Sequence, residues 1–187
     1  LFRSVDVSYA EAALASNAVI GSGVGPHSPT QLDQFLSDKS IGISPVIFCE
    51  GEGLSGNADT NDIETLFQIY HLLMTAPSIH ETAFRSAISS GQVLLDQLAA
   101  DAAIAAELEL RYMTYRRELN SRVPTQGELD SATPDSLLEI FVSRFGTVDD
   151  LVLSIAGDAD ADVVGKLAAA YVGTLPPGPD DSFTNQL

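Results

Sequence analysis

The sequence predicts an α+β domain in which helices pack on a mostly antiparallel sheet. Three observations carry this. Helix-length stretches, alanine-rich or amphipathic, recur along the chain. Only the short segments 41–49, 54–58 and 151–156 have the β-branched or apolar character of strands. With 187 residues, 45% of them hydrophobic, the chain is long enough to bury one core.

The elements follow in order. Residues 9–20, YAEAALASNAVI, contain no helix breaker and read as a helix that Gly21 and Gly23 end. A short helix fits 29–36, with Ser28 as N-cap and Pro29 in the first turn. Residues 41–49 read as a strand in which Pro45 cannot donate to a ladder, which predicts an edge position or a bulge. Glu50 to Gly53 is expected to turn the chain into a second strand, 54–58. Ile63, Leu66, Phe67, Tyr70, Leu73 and Met74 then fall on one helical face, behind an Asn61 N-cap with Glu64 reaching back, and Pro77 stops the helix. Helical pattern resumes from Thr82 to about Asn120, with breaks expected near Gly91 or Asp101. Thr133-Pro134 starts a further helix that carries Leu137, Leu138, Phe141, Val142 and Phe145 to a Gly146 cap. Residues 151–156 form a continuous apolar run, which predicts a strand covered on both faces. The last helix follows Gly157, with Val163, Val164, Leu167, Ala168, Tyr171 and Val172 on one face. Residues 1–176 are expected to form one domain and 177–187, rich in proline and polar residues, a linker or tail.

Charge narrows the partners. The net charge of −17, from 26 acidic and 9 basic residues, would repel nucleic acid phosphates. Arg111, Arg116, Arg117 and Arg122 cluster, but Glu107, Glu109 and Glu118 lie among them, as on a solvated helix face. No apolar stretch is long enough for a membrane span, and no basic stretch followed by an apolar one opens the chain. Cys49 is the only cysteine, so an intrachain disulfide and a cysteine-based zinc site are both excluded; its neighbours Ile47 and Phe48 predict a buried, inert thiol.

Little catalytic chemistry stands out. His27, His71 and His80 have no metal-ligand partner at short helical spacing. The stretch Gly21-Ser-Gly-Val-Gly25 follows a helix rather than a strand, so it reads as a cap and turn rather than a phosphate cradle. Asp158, Asp160 and Asp162 alternate as in a calcium loop, but Val163 replaces the glycine and Ala169 the closing glutamate of such a loop.

Three stretches in fixed order carry a family resemblance: ALASNAVIGSGVGPHSPTQLDQFLSDKSIGISP, EGLSGNADTNDIETLFQIYHLLMTAP, and an ending that runs RFG, GDAD, YVGTLP. From the first long helix to Leu175-Pro176 the chain resembles the inactive, C-terminal half of pitrilysin/insulinase-type zinc peptidases. In an active half of that family the first long helix carries HxxEH: two histidines bind zinc and the glutamate is the general base. The resemblance places Leu14, Asn17 and Ala18 at those three positions, and 93–96, which contain no glutamate, at the downstream ligand. It also implies that the domain lacks its first strands. The arginine and tyrosine by which some inactive halves grip substrate belong to a following domain, so those roles do not pass to Arg144 or Tyr171.

The resulting expectation is a domain without catalytic residues or bound metal, with zinc only in the other half of a parent protein. Its partners would be that catalytic half and unfolded peptide, with no nucleic acid. A scaffold or interaction module that keeps the fold without serving a protease is the alternative.

Overall fold

A computed structural model describes residues 9–48, 51–114, 123–146, 148 and 151–177. Its helices are α1 (Tyr9–Ile20), α2 (Pro29–Leu36), α3 (Ile63–Thr75), α4 (Glu81–Ala100), α5 (Ala102–Thr114), α6 (Gln126–Ser131), α7 (Pro134–Phe145) and α8 (Ala161–Leu167). A π-helical turn, Ala168–Val172, continues α8. Strands β1 (Gly42–Phe48) and β2 (Gly51–Asn57) form an antiparallel hairpin, the one sheet among the described residues. The class is the expected α+β, with much less sheet than helix.

The alanines of α1 explain the centre of the molecule. Ala10, Ala12, Ala15, Ser16, Ala18 and Val19 are all buried, on more than one side of the helix. Small side chains let α7, α4 and β1 approach α1 together. From α7 come Leu137, Phe141 and Phe145, the two phenylalanine rings 4.7 Å apart between centroids. From α4 come Ala83, Ala87 and Gly91. Ser16 donates to the Ala12 carbonyl, so its buried hydroxyl is satisfied.

The helix signals act mostly as read. Ser28 and Thr133 each cap with a reciprocal capping box and a proline in the first turn. Gly21 to Gly25 is indeed a helix end and turn: Gly23 and Gly25 have φ of 90° and 53°. Ser22 there donates to Ala18 O at 2.6 Å and accepts from His80 N at 2.8 Å, tying the end of α1 to the start of α4.

Several expectations need correction. Of the two places read for a break, Asp101 is where α4 ends, as expected, while Gly91 lies inside the helix. The glycine serves close packing instead, since a β-carbon there would stand 2.8 Å from Leu129 Cδ2. The start of α3 is not capped by Asn61 and Glu64: a 3-10 turn, Thr60–Asp62, leads in, and Asp62 makes no side-chain cap. The second strand begins at Gly51, earlier than read; Pro45 sits opposite Leu54 without a bulge, on a strand that is an edge among the described residues, one of its two expected settings. The helix α6 was not anticipated, although Thr125 and Glu128 form a capping box legible in the sequence.

The largest departure is 151–156. These residues are not a strand and are not covered; Val152 is 88% exposed. Residues 152–157 make no hydrogen bond among the described residues. An apolar run predicts a strand only if a neighbouring edge is within ladder distance, and here β2 lies across an open slot. The readings for Cys49, Glu50, Arg116, Arg117, Arg122 and 178–187 fall outside the described residues.

Candidate functional site

Two places bear on function: the ligand positions of α1, and the slot beside the hairpin. On α1, Leu14 is 6% exposed and Ala18 is fully buried, both in the core. Leu14 Cδ2 would be 3.4 Å from a β-carbon at Gly91 of α4. Asn17, between them in sequence, faces solvent. The three positions therefore do not converge on a common cleft. Neither leucine nor alanine has a donor atom, and an amide is a poor base, so this set does not fit zinc. Val93 and Asp96 of α4 lie exposed, with Asp96 accepting from Gln92 at 3.0 Å. No cluster of three or more metal-ligating side chains occurs among the described residues.

The histidines have separate surroundings. His27 is exposed at the turn after α1, where Val24 and His27 exchange backbone hydrogen bonds. His80 is the exposed N-cap of α4. His71 donates from Nδ1 to the Tyr171 carbonyl at 2.7 Å. Asp160, before α8, is committed locally, since it accepts from the backbone N–H groups of Asp162 and Val163.

The slot has a volume of about 670 Å³ and three walls. One wall is β2 from Gly53 to Asn57, and the floor is the α3 face bearing Ile63, Leu66, Phe67 and Tyr70. The third is the extended segment 153–159 with Val172. A strand residue occupies roughly 3.3 × 4.8 × 10 Å, or about 160 Å³, so the slot has room for about four residues of extended chain. Burial pushes the Tyr70 phenol up to about 12, because the phenolate would lose its hydration there. Just before β1, Lys39 donates to Asp62 at 3.0 Å and lies 5.6 Å from the Phe35 ring centroid. That hydrogen bond raises the ammonium pKa, helped by the charges of Asp62 and Asp38 and opposed by desolvation.

Composition and periodicity gave no sign of the slot. It depends on 151–156 standing away from β2, and local pattern does not encode that distance.

The fold superposes on those of solved proteases. The periplasmic protease PqqL from Escherichia coli superposes over 91% of this chain with a TM-score of 0.73 and 22% identity. The ferredoxin protease FusC, solved as a point mutant in complex with Arabidopsis ferredoxin, superposes over 95% with a TM-score of 0.69 and 21% identity. A conserved protein from Enterococcus faecalis V583 matches 71% of the chain and 36% of its own, at 0.53 and 15% identity. In sequence, the probable zinc protease PqqL of Escherichia coli (strain K12) is 27% identical over 167 residues, 87% of this chain. No family model matches.

The chain therefore has the fold of a pitrilysin-type protease domain. In sequence it is similar to a zinc protease, in line with the pitrilysin/insulinase resemblance of its motifs. It spans 17% of the curated relative's length, and 19% of each of the two solved proteases. No helix of the described residues is long and apolar enough to cross a membrane.

Proposed function

We propose that this domain is a non-catalytic part of a pitrilysin-type zinc protease, one wall of a chamber that encloses peptide and supports its binding. The observation that carries this reading is the placement of Leu14 and Ala18 in the core of a domain related to zinc proteases. A helix that would hold the metal in an active half serves here as the packing centre. Zinc and the general base belong to another part of the parent chain, and unfolded polypeptide is the substrate class. The slot supports a recognition role: it offers a strand edge that is unpaired among the described residues and an apolar floor, the two surfaces by which an extended peptide is held. The role is steric and recognitional, with no proton or electron moved by this domain.

Deletion of these 187 residues from the parent protein tests the reading. Loss of breakdown of large peptides, or a changed size limit, is expected. An unchanged rate and size limit would make the domain a passenger, and a scaffold role would replace the chamber wall.

A further inference from the structure

The third wall of the slot is attached to the rest of the molecule at few points. No residue from 151 to 174 is buried, and the first buried side chain on the way back is Leu175. Residues 152–157 contribute no hydrogen bond among the described residues, and α8 packs mainly on the π turn that continues it. That π turn in turn packs on α3.

The contact with α3 converges on one residue. Tyr171 donates its hydroxyl to Glu64 Oε1 at 2.9 Å and accepts from Gln68 Nε2 at 3.1 Å. Its carbonyl accepts from His71 at 2.7 Å. Its ring lies 6.4 Å from that of Phe67 and 6.1 Å from that of His71, centroid to centroid. Glu64, Gln68 and His71 are spaced i, i+4, i+7 on α3, a stripe distinct from the one bearing Ile69 and Leu73 in the core. The π turn alters the phase of the helix just where Tyr171 must meet that stripe.

We propose that residues 151–175 form a strap that opens as a unit, with Tyr171 as its latch on α3. Opening widens the slot beside β2 while α1, α4 and α7 stay folded. The physical basis is that sub-global opening costs least where buried apolar contacts and hydrogen bonds are fewest. The body of the domain buries Phe141, Leu73, Leu137 and Val19 almost completely. Among the described residues, Tyr171 makes the side-chain hydrogen bonds from the strap to α3, Leu175 is its one buried side chain, and backbone bonds at Val148 tie down its two ends. This goes beyond the chamber-wall role, since the strap would open whether or not the parent is a protease.

Hydrogen exchange read by mass spectrometry on the intact chain tests it. In the wild type, amides of 161–173 are expected to exchange at least tenfold faster than those of α1 and α7. Tyr171→Ala should speed the strap by a further tenfold or more and leave α1 and α7 unchanged. Tyr171→Phe keeps the ring and the carbonyl bond but loses both hydroxyl bonds, so its effect should be smaller and of the same kind. Should Tyr171→Ala not fold, Tyr171→Phe and Glu64→Ala provide the comparison. Equal exchange in strap and body, or acceleration of α1 and α7 together with the strap, would overturn the proposal.

Discussion

The Tyr70 hydroxyl packs directly onto Gly56 of β2, in the space a β-carbon at residue 56 would take. Through this contact α3 is seated against the hairpin and the floor of the slot is fixed relative to its first wall. The same hypothetical carbon would be 2.8 Å from Gly42 O and 3.0 Å from Leu66 Cδ1, so backbone as well as side chains would have to move.

Gly56→Val is therefore expected to cost about 1–3 kcal/mol, the usual range for overpacking. Urea unfolding of the two proteins measures it. A loss below about 0.5 kcal/mol would mean that α3 is not seated on β2 as described.

Tyr70 gives a pH dependence with a definite sign. The folded state holds the phenol proton more tightly, at about 12, than an unfolded chain would, at about 10. Its contribution to stability is complete below pH of about 10 and is lost as pH rises toward about 12. Ultraviolet titration should show a phenol ionising about two units late that Tyr70→Phe removes. A wild type and a Tyr70→Phe variant with the same alkaline titration, less one ordinary tyrosine, would contradict this.

Core substitutions on α3 should separate its faces. Leu73 is 2% exposed, and Leu73→Ala is expected to cost about 2–5 kcal/mol. Leu66 is half-buried at the slot, so Leu66→Ala should cost less. Chemical denaturation reads both. A loss below about 0.5 kcal/mol at both sites would place the stripe in solvent and refute the fold.

Much of this was legible because local signals agreed with the tertiary outcome. Ser28-Pro29, Thr133-Pro134 and the 63–74 periodicity specify helices through caps and apolar spacing, and the structure forms them. Phe67 and Leu73 lie in the predicted stripe, although buried Ile69 was not singled out. The break between α4 and α5 falls at Asp101, one of the two places read; Gly91 was the other because a glycine that breaks a helix and one that admits a neighbour, here Leu129, look alike in sequence. The 151–156 run was misread because strand formation needs an adjacent edge, a non-local property. On α1, resemblance indicated which positions to inspect, while burial of Leu14 and Ala18 beside exposed Asn17 required coordinates.

That burial also bears on attempts to rebuild a site. The combined variant Leu14→His, Asn17→Glu, Ala18→His would put imidazoles among core side chains and still lack the downstream glutamate. It should be less stable than the wild type and take up no zinc with submicromolar affinity in calorimetry. A tight, saturable zinc site in that variant would show that α1 faces a usable cleft.

The central claim is that this domain serves a protease without performing the chemistry. Its most direct test is hydrolysis of unfolded peptides, such as casein or short quenched substrates, by the purified chain supplied with zinc. The expected result is turnover at the buffer background, with and without chelator. Chelator-sensitive turnover that copurifies with the folded chain, and that falls when Asn17 is replaced by alanine, would contradict the claim.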